Sequence, residues 1–178
     1  MLHSLILDDF LPDFAYWRSW ADTRRYRAET NPEDGVSYPG ICREVPTYGT
    51  RRRLEALMGR SVNLHALFLR LSLEGVSVPH QAHHDGVMGE FSLMLYMNRA
   101  EHCRGGTSLI EHIDGEPDPD TWARDTNVPE KWRVVSLTQM RPNRAFIFRS
   151  KLWHRAEPVG GFGSSPVDGR LVLTGFFS

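Results

Sequence analysis

From Val62 to its C-terminus the chain breaks into eight short β-type runs separated by turn residues, and this rhythm limits the available folds most. The runs are Val62–Leu73, the segment holding His83 and Asp85, Phe91–Asn98, Gly106–Ile113, Trp132–Gln139, Arg144–Phe148, Leu152–Val159 and Arg170–Phe177. Successive strand side chains point to opposite faces, so Leu67, Leu69, Leu71 and Leu73 line one side of the first run. Eight short strands with turn signals between them predict a mainly β, two-sheet jelly roll rather than alternating βαβ units.

The region before Val62 has a different character. Ser4 to Leu7 reads as a short strand, followed by a helix from near Pro12 with Phe14, Trp17 and Ala21 on its apolar stripe. Residues 30–49 carry Pro32, Gly35, Pro39, Gly40, Pro46 and Gly49, the composition of an irregular loop. A helix from about Thr50 to Met58 comes next, with Arg51, Arg52 and Arg53 on a solvated face. Between Pro117 and Pro129 lies an acidic, proline-bearing insertion with room for a helical turn. No internal repeat or low-complexity linker divides the chain. The expectation is one domain over 178 residues, with 1–60 as helical and loop support on one outer sheet face and 61–178 as the jelly-roll core.

Composition removes several functional classes. A net charge of −1 and a pI near 6.7 give no electrostatic footprint for nucleic acid or an anionic membrane. Cys42 and Cys103 form neither a disulfide framework nor a CxxC metal spacing, which suits a reducing compartment. Asp8 and Asp9 directly follow a very short apolar run, so the N-terminus does not read as a signal peptide. No apolar stretch has the length of a bilayer span, and the expected location is the cytoplasm.

The chemistry-bearing cluster is His83-His84-Asp85. On a strand, His83 and Asp85 share a face and His84 points away. Together with His154 they supply two imidazoles and a carboxylate, the facial set that holds ferrous iron and leaves positions open. With 8 His and 11 Asp in the chain, roughly half an HxD pair is expected by accident, so the motif alone is weak. A second pair, His112 and Asp114, stands at a strand exit; it reads as a solvated strand end and is the runner-up ligand pair.

Context favours the first pair. A strongly apolar strand follows it within a few residues, and His154 comes several strands later, where the opposite part of a barrel can supply it. Arg170, Val172 and Thr174 share one face of the last run. If that face is inward, a guanidinium inside the barrel requires an anionic partner, and its fork suits a carboxylate. His80 and His84 read as supporting or exposed residues.

These residues resemble the Fe(II)- and 2-oxoglutarate-dependent oxygenases, most closely their prolyl-hydroxylase-like branch. The likeness covers about Val78 to Phe177 and keeps family order. It begins with His83-His84-Asp85, the strand ending Leu95-Tyr96-Met97-Asn98 and the turn Gly105-Gly106-Thr107. Phe146-Ile147-Phe148 and Trp153-His154-Arg155 follow, then Glu157-Pro158-Val159 and Arg170 to Phe177. The resemblance implies a double-stranded β-helix of cupin-like form, iron on His83, Asp85 and His154, and the distal carboxylate of 2-oxoglutarate on Arg170. It implies O2 as a further co-substrate, with succinate and CO2 released as a C–H bond of the substrate is hydroxylated.

Two departures from the family stand out: Leu95 replaces a tyrosine and Val172 a serine or threonine, leaving Tyr96 and Thr174 as substitute contacts to 2-oxoglutarate. Trp153, beside His154, is a substrate-contact candidate. The expected substrate is a small metabolite or a peptide or protein side chain. Two rivals remain: a cupin-like metalloenzyme without a keto acid, and a non-catalytic jelly-roll binding module.

Overall fold

Period-two alternation sorts the β-rich half of the chain into two antiparallel sheets, as seen in a computed structural model that describes residues 3–31 and 35–178. Strands β1 (Ser4–Leu7), β2 (Arg27–Thr30), β3 (Ser37–Cys42), β4 (Leu64–Ser72) and β5 (Phe91–Tyr96) come first in chain order. After them come β6 (Gly106–His112), β7 (Trp132–Gln139), β8 (Ala145–Arg149), β9 (His154–Glu157) and β10 (Arg170–Phe177). The helices are α1 (Phe14–Asp22), α2 (Tyr48–Met58) and α3 (Pro119–Asp125). Among the described residues the larger sheet runs β1-β8-β5-β10-β4-β3-β2 and the smaller β7-β6-β9. The architecture is the expected mainly β jelly roll.

Each central strand of the larger sheet has two different faces. Leu67, Leu69 and Leu71 on β4, Leu93 and Leu95 on β5, Ile147 on β8, and Leu171 and Leu173 on β10 join one buried cluster with Ala21 and Leu54 of the helices. Trp17 and Trp20 of α1 pack against it. Each fully buried leucine there contributes about 1.5–3 kcal/mol. The helices therefore cover the outer face, and the alternate residues Arg70, Met94, Arg170 and Thr174 line a cavity on the inner one. That division positions the site.

The N-terminal segment departs from expectation. It is more than helical support, because it adds β1, β2 and β3 to the larger sheet. Residues 37–42, expected as loop, pair with β4 at Ile41–Arg70 and Cys42–Leu69. Gly40 makes this possible: its φ is +73° and an added Cβ would lie 1.9 Å from the Leu71 carbonyl oxygen. The glycine that reads as a loop signal is here a close-approach residue. Pro32, part of the same expected loop, lies outside the described residues.

The segment carrying His83 is not a regular strand either. A single bridge joins it to β9, with His83 N donating to His154 O at 3.1 Å and His154 N to His83 O at 2.9 Å. The alternation still holds. His83 and Asp85 line the cavity, whereas His84 stacks on Trp153 at 4.6 Å between ring centroids. The acidic insertion holds α3, capped by Asp118, whose carboxylate accepts from Thr121 N at 2.8 Å.

Candidate metal centre

The bridge between His83 and His154 brings two imidazoles face to face, with ring centroids 4.4 Å apart. Asp85 reaches them because its N–H donates to Ser150 O at 2.7 Å, pinning the turn after the bridge. One ligand atom from each of His83, Asp85 and His154 lies within 4.8 Å of the other two. Among the described residues this is the one such cluster of three or more potential ligands.

The ring tautomers follow from their neighbours. Nδ1 of His83 lies 3.3 Å from Gln81 O, and Nδ1 of His154 lies 3.0 Å from Leu152 O. A carbonyl oxygen only accepts, so each Nδ1 carries a proton and each Nε2 is the nitrogen turned toward the cluster. His154 Nε2 is buried without a hydrogen-bond partner among the described residues, although Asp85 Oδ2 is 3.3 Å away. A proton or a metal cation between them would satisfy both atoms. Burial, then the neighbouring His154, pushes His83 down to about 3, so it stays neutral at ordinary pH. Two imidazoles and a carboxylate form the donor set that suits ferrous iron. The residues present fit the metal.

Support for Asp85 is buried as well. Ser92 Oγ donates to Asp85 Oδ2 at 2.9 Å and shares a second contact of 2.9 Å with Ser150 Oγ. Such outer contacts fix a carboxylate ligand's direction. The Phe148 ring packs edge-on against His154 at 4.8 Å.

Arg170 lies in the same cavity as the triad. Only 5% exposed, it donates through Nη2 to Gly106 O at 3.0 Å and to Thr107 Oγ1 at 3.4 Å. Its Nε is buried and unpaired among the described residues, and burial brings its pKa down to about 10. A guanidinium held this way is a receptor for an oxyanion. Asn98 fixes its backbone from both sides, accepting from Leu171 N at 2.9 Å and donating to Gly169 O at 2.8 Å. The turn Gly105-Gly106 places Thr107: an added Cβ at Gly106 would meet Thr138 O at 1.9 Å, and one at Gly105 would meet Glu157 O at 2.1 Å.

The remaining expected residues are placed differently from one another. Thr174 lines the cavity, its hydroxyl 3.8 Å from Met94 Sδ. Tyr96 stands behind the wall, fully buried; its hydroxyl donates to Thr138 O at 3.0 Å and lies 3.0 Å from Thr107 Oγ1. Trp153 faces away from the triad, into a separate surface pocket with His84, Glu116 and Trp122, and donates to Glu116 Oε1 at 2.9 Å. The reason is alternation: if His154 points inward, its neighbour points out.

Among the described residues His112 and Asp114 belong to no metal-ligand cluster, and His112 is not a solvated strand end. It is buried, with Nε2 3.1 Å from Asp125 Oδ2 and its ring edge-on to Trp132, while Asp114 pairs with Lys131. His80, expected as supporting or exposed, lines the cavity with a buried Nδ1 unpaired among the described residues. Arg70, absent from the expected site, lines the cavity too. The leucine alternation on β4 was the available signal, since it puts residue 70 opposite Leu69 and Leu71.

No family model and no curated protein matches the sequence. Solved structures do match in fold. The non-heme alpha ketoglutarate dependent epimerase SnoN from nogalamycin biosynthesis aligns at TM-score 0.60 and 15% identity, over 98% of this chain and 76% of that one. A 2OG-Fe(II) oxygenase family oxidoreductase from Burkholderia pseudomallei aligns at TM-score 0.59 and 13% identity, covering 99% and 85%. EctD from S. alaskensis, with bound Fe, aligns at 0.55 and 16%, covering 98% and 72%. At these identities the likeness is one of fold.

Proposed function

We propose that this chain is an Fe(II)- and 2-oxoglutarate-dependent dioxygenase that hydroxylates a C–H bond of its substrate. The observation that carries the reading is the convergence of His83, Asp85 and His154 in a cavity that also holds Arg170. Solved neighbours described as alpha ketoglutarate dependent or carrying bound Fe support it. The prolyl-hydroxylase-like placement rests on the ordered motifs from His83 to Phe177.

In this reading the two Nε2 atoms and the Asp85 carboxylate would hold iron, which would supply the redox chemistry. Arg170 binds the distal carboxylate and sets the co-substrate's direction, with Thr174 beside it. Tyr96 acts through Thr107, which it positions against the guanidinium. Ser92 and Ser150 keep Asp85 aimed at the metal. Phe148 and Phe176 keep the walls apolar and exclude water.

The test is succinate formation from 2-oxoglutarate with Fe(II) and O2 across a substrate panel, with Asp85→Ala as control. The proposal expects succinate from the wild type, none from the variant, and a product heavier by one oxygen atom. One neighbour is described as an epimerase. Succinate with an isomerised, unoxygenated product would keep the cofactor assignment and replace hydroxylation. A cupin-like enzyme without a keto acid, or a binding module, would make no succinate at all.

A further inference from the structure

Charge in the cavity does not balance. Arg70 projects inward from β4, which pairs with β10 at Arg70–Val172, so it stands on the same wall as Arg170. No hydrogen bond or ion pair engages its guanidinium among the described residues; its recorded neighbour is the Tyr38 ring, 5.6 Å from Cζ. Burial lowers its pKa, with Asp85 opposing, so the carboxylate it senses is the one already committed to the metal. Among the described residues no other acidic side chain lines the cavity.

The reading above fills part of this site. Ferrous iron, Asp85, a dianionic keto acid and Arg170 form a neutral set. Arg70 is the cation left over. A guanidinium inside a walled cavity without a counter-charge is costly, and the cost falls once an oxyanion arrives. We infer that Arg70 is a specificity residue that binds an anionic group, a carboxylate or a phosphoryl group, on the primary substrate. This inference rests on the proposed function and names the substrate class for that same site. His80, whose Nδ1 in the same cavity is unpaired among the described residues, is a second polar contact available to that group.

The experiment compares wild type, Arg70→Met and Arg70→Lys, all first checked for an unchanged thermal melt. Anaerobic Fe(II) and 2-oxoglutarate are added to each, and co-substrate affinity is read from the charge-transfer absorbance. Acetate and inorganic phosphate are then titrated separately into the saturated complexes, and the change in that band is followed. The expected result is co-substrate affinity within about threefold of wild type in both variants. One of the two anions should perturb the wild-type band about tenfold more tightly than that of Arg70→Met, with Arg70→Lys between them.

Acetate as the effective probe identifies a carboxylate substrate, and phosphate a phosphorylated one. Equal response to both anions in wild type and Arg70→Met overturns the inference. So does a loss of 2-oxoglutarate affinity of tenfold or more in Arg70→Met, which would assign Arg70 to the co-substrate. If wild type itself shows no absorbance with iron and keto acid, the proposed function has failed, and the inference with it. Should Arg70→Met melt early, Arg70→Lys alone carries the comparison, because it retains charge and loses the fork.

Discussion

Asp85 is asked to do more than its neighbours: it offers a ligand oxygen, accepts from Ser92 Oγ and is held at its own N–H by Ser150 O. Removing it leaves two facing lone pairs and no counter-charge for a metal. Asp85→Ala is expected to weaken Fe(II) binding by more than about 100-fold, and Ser92→Ala by about tenfold, both measurable by anaerobic titration. An unchanged affinity in Asp85→Ala would remove this residue from the ligand set. His83 and Asp85 were legible in the sequence because alternation needs only a locally extended chain, which one bridge to β9 supplies. Arg70 was harder to find. A lone arginine on a strand is ordinary until the leucines beside it are known to face helices.

At the scale of elements, Asn98 and the Gly105-Gly106 turn determine where the arginine wall ends. Asn98 is fully buried and ties both peptide groups that flank Arg170. Asn98→Ala leaves a buried N–H and a buried carbonyl unpaired, at about 1–3 kcal/mol for each unpaired group. It is expected to lower thermal stability and weaken 2-oxoglutarate binding together. A loss of stability with no change in co-substrate affinity would make Asn98 purely structural. Gly106→Ala drives a Cβ into Thr138 O and is expected to cost at least about 2 kcal/mol in denaturant unfolding. Most strands were readable from apolar alternation. β3 was not, because Pro39 and Gly40 are turn residues by local rules, and the close approach of Leu71 O accounts for the glycine.

For the whole molecule, the two faces of the larger sheet divide the labour: one builds a dry core under the helices, the other the cavity that holds His83, Asp85, His154 and Arg170. The smaller sheet's outer side is fastened by buried charge. Asp125 is held down to about 2, first by its hydrogen bonds from Arg124 and then by His112. A carboxylate depressed in the fold contributes stability that is fully present above about pH 4 and is lost as pH falls through about 2. Melting temperatures of wild type and Asp125→Asn should therefore differ at neutral pH and converge in acid; curves that stay parallel would contradict this. That His112 is buried against Asp125 was beyond the sequence, since its partner is 13 positions away in an insertion.

The central claim is that one cavity holds iron on His83, Asp85 and His154 and a keto acid on Arg170. Anaerobic titration of 2-oxoglutarate into the Fe(II)-loaded protein, followed by charge-transfer absorbance, tests it most directly. The account predicts one equivalent bound by wild type, no band in His154→Ala, and a more than tenfold weaker, still detectable band in Arg170→Met. Equal titration curves for wild type and Arg170→Met, or no band in wild type, would contradict it.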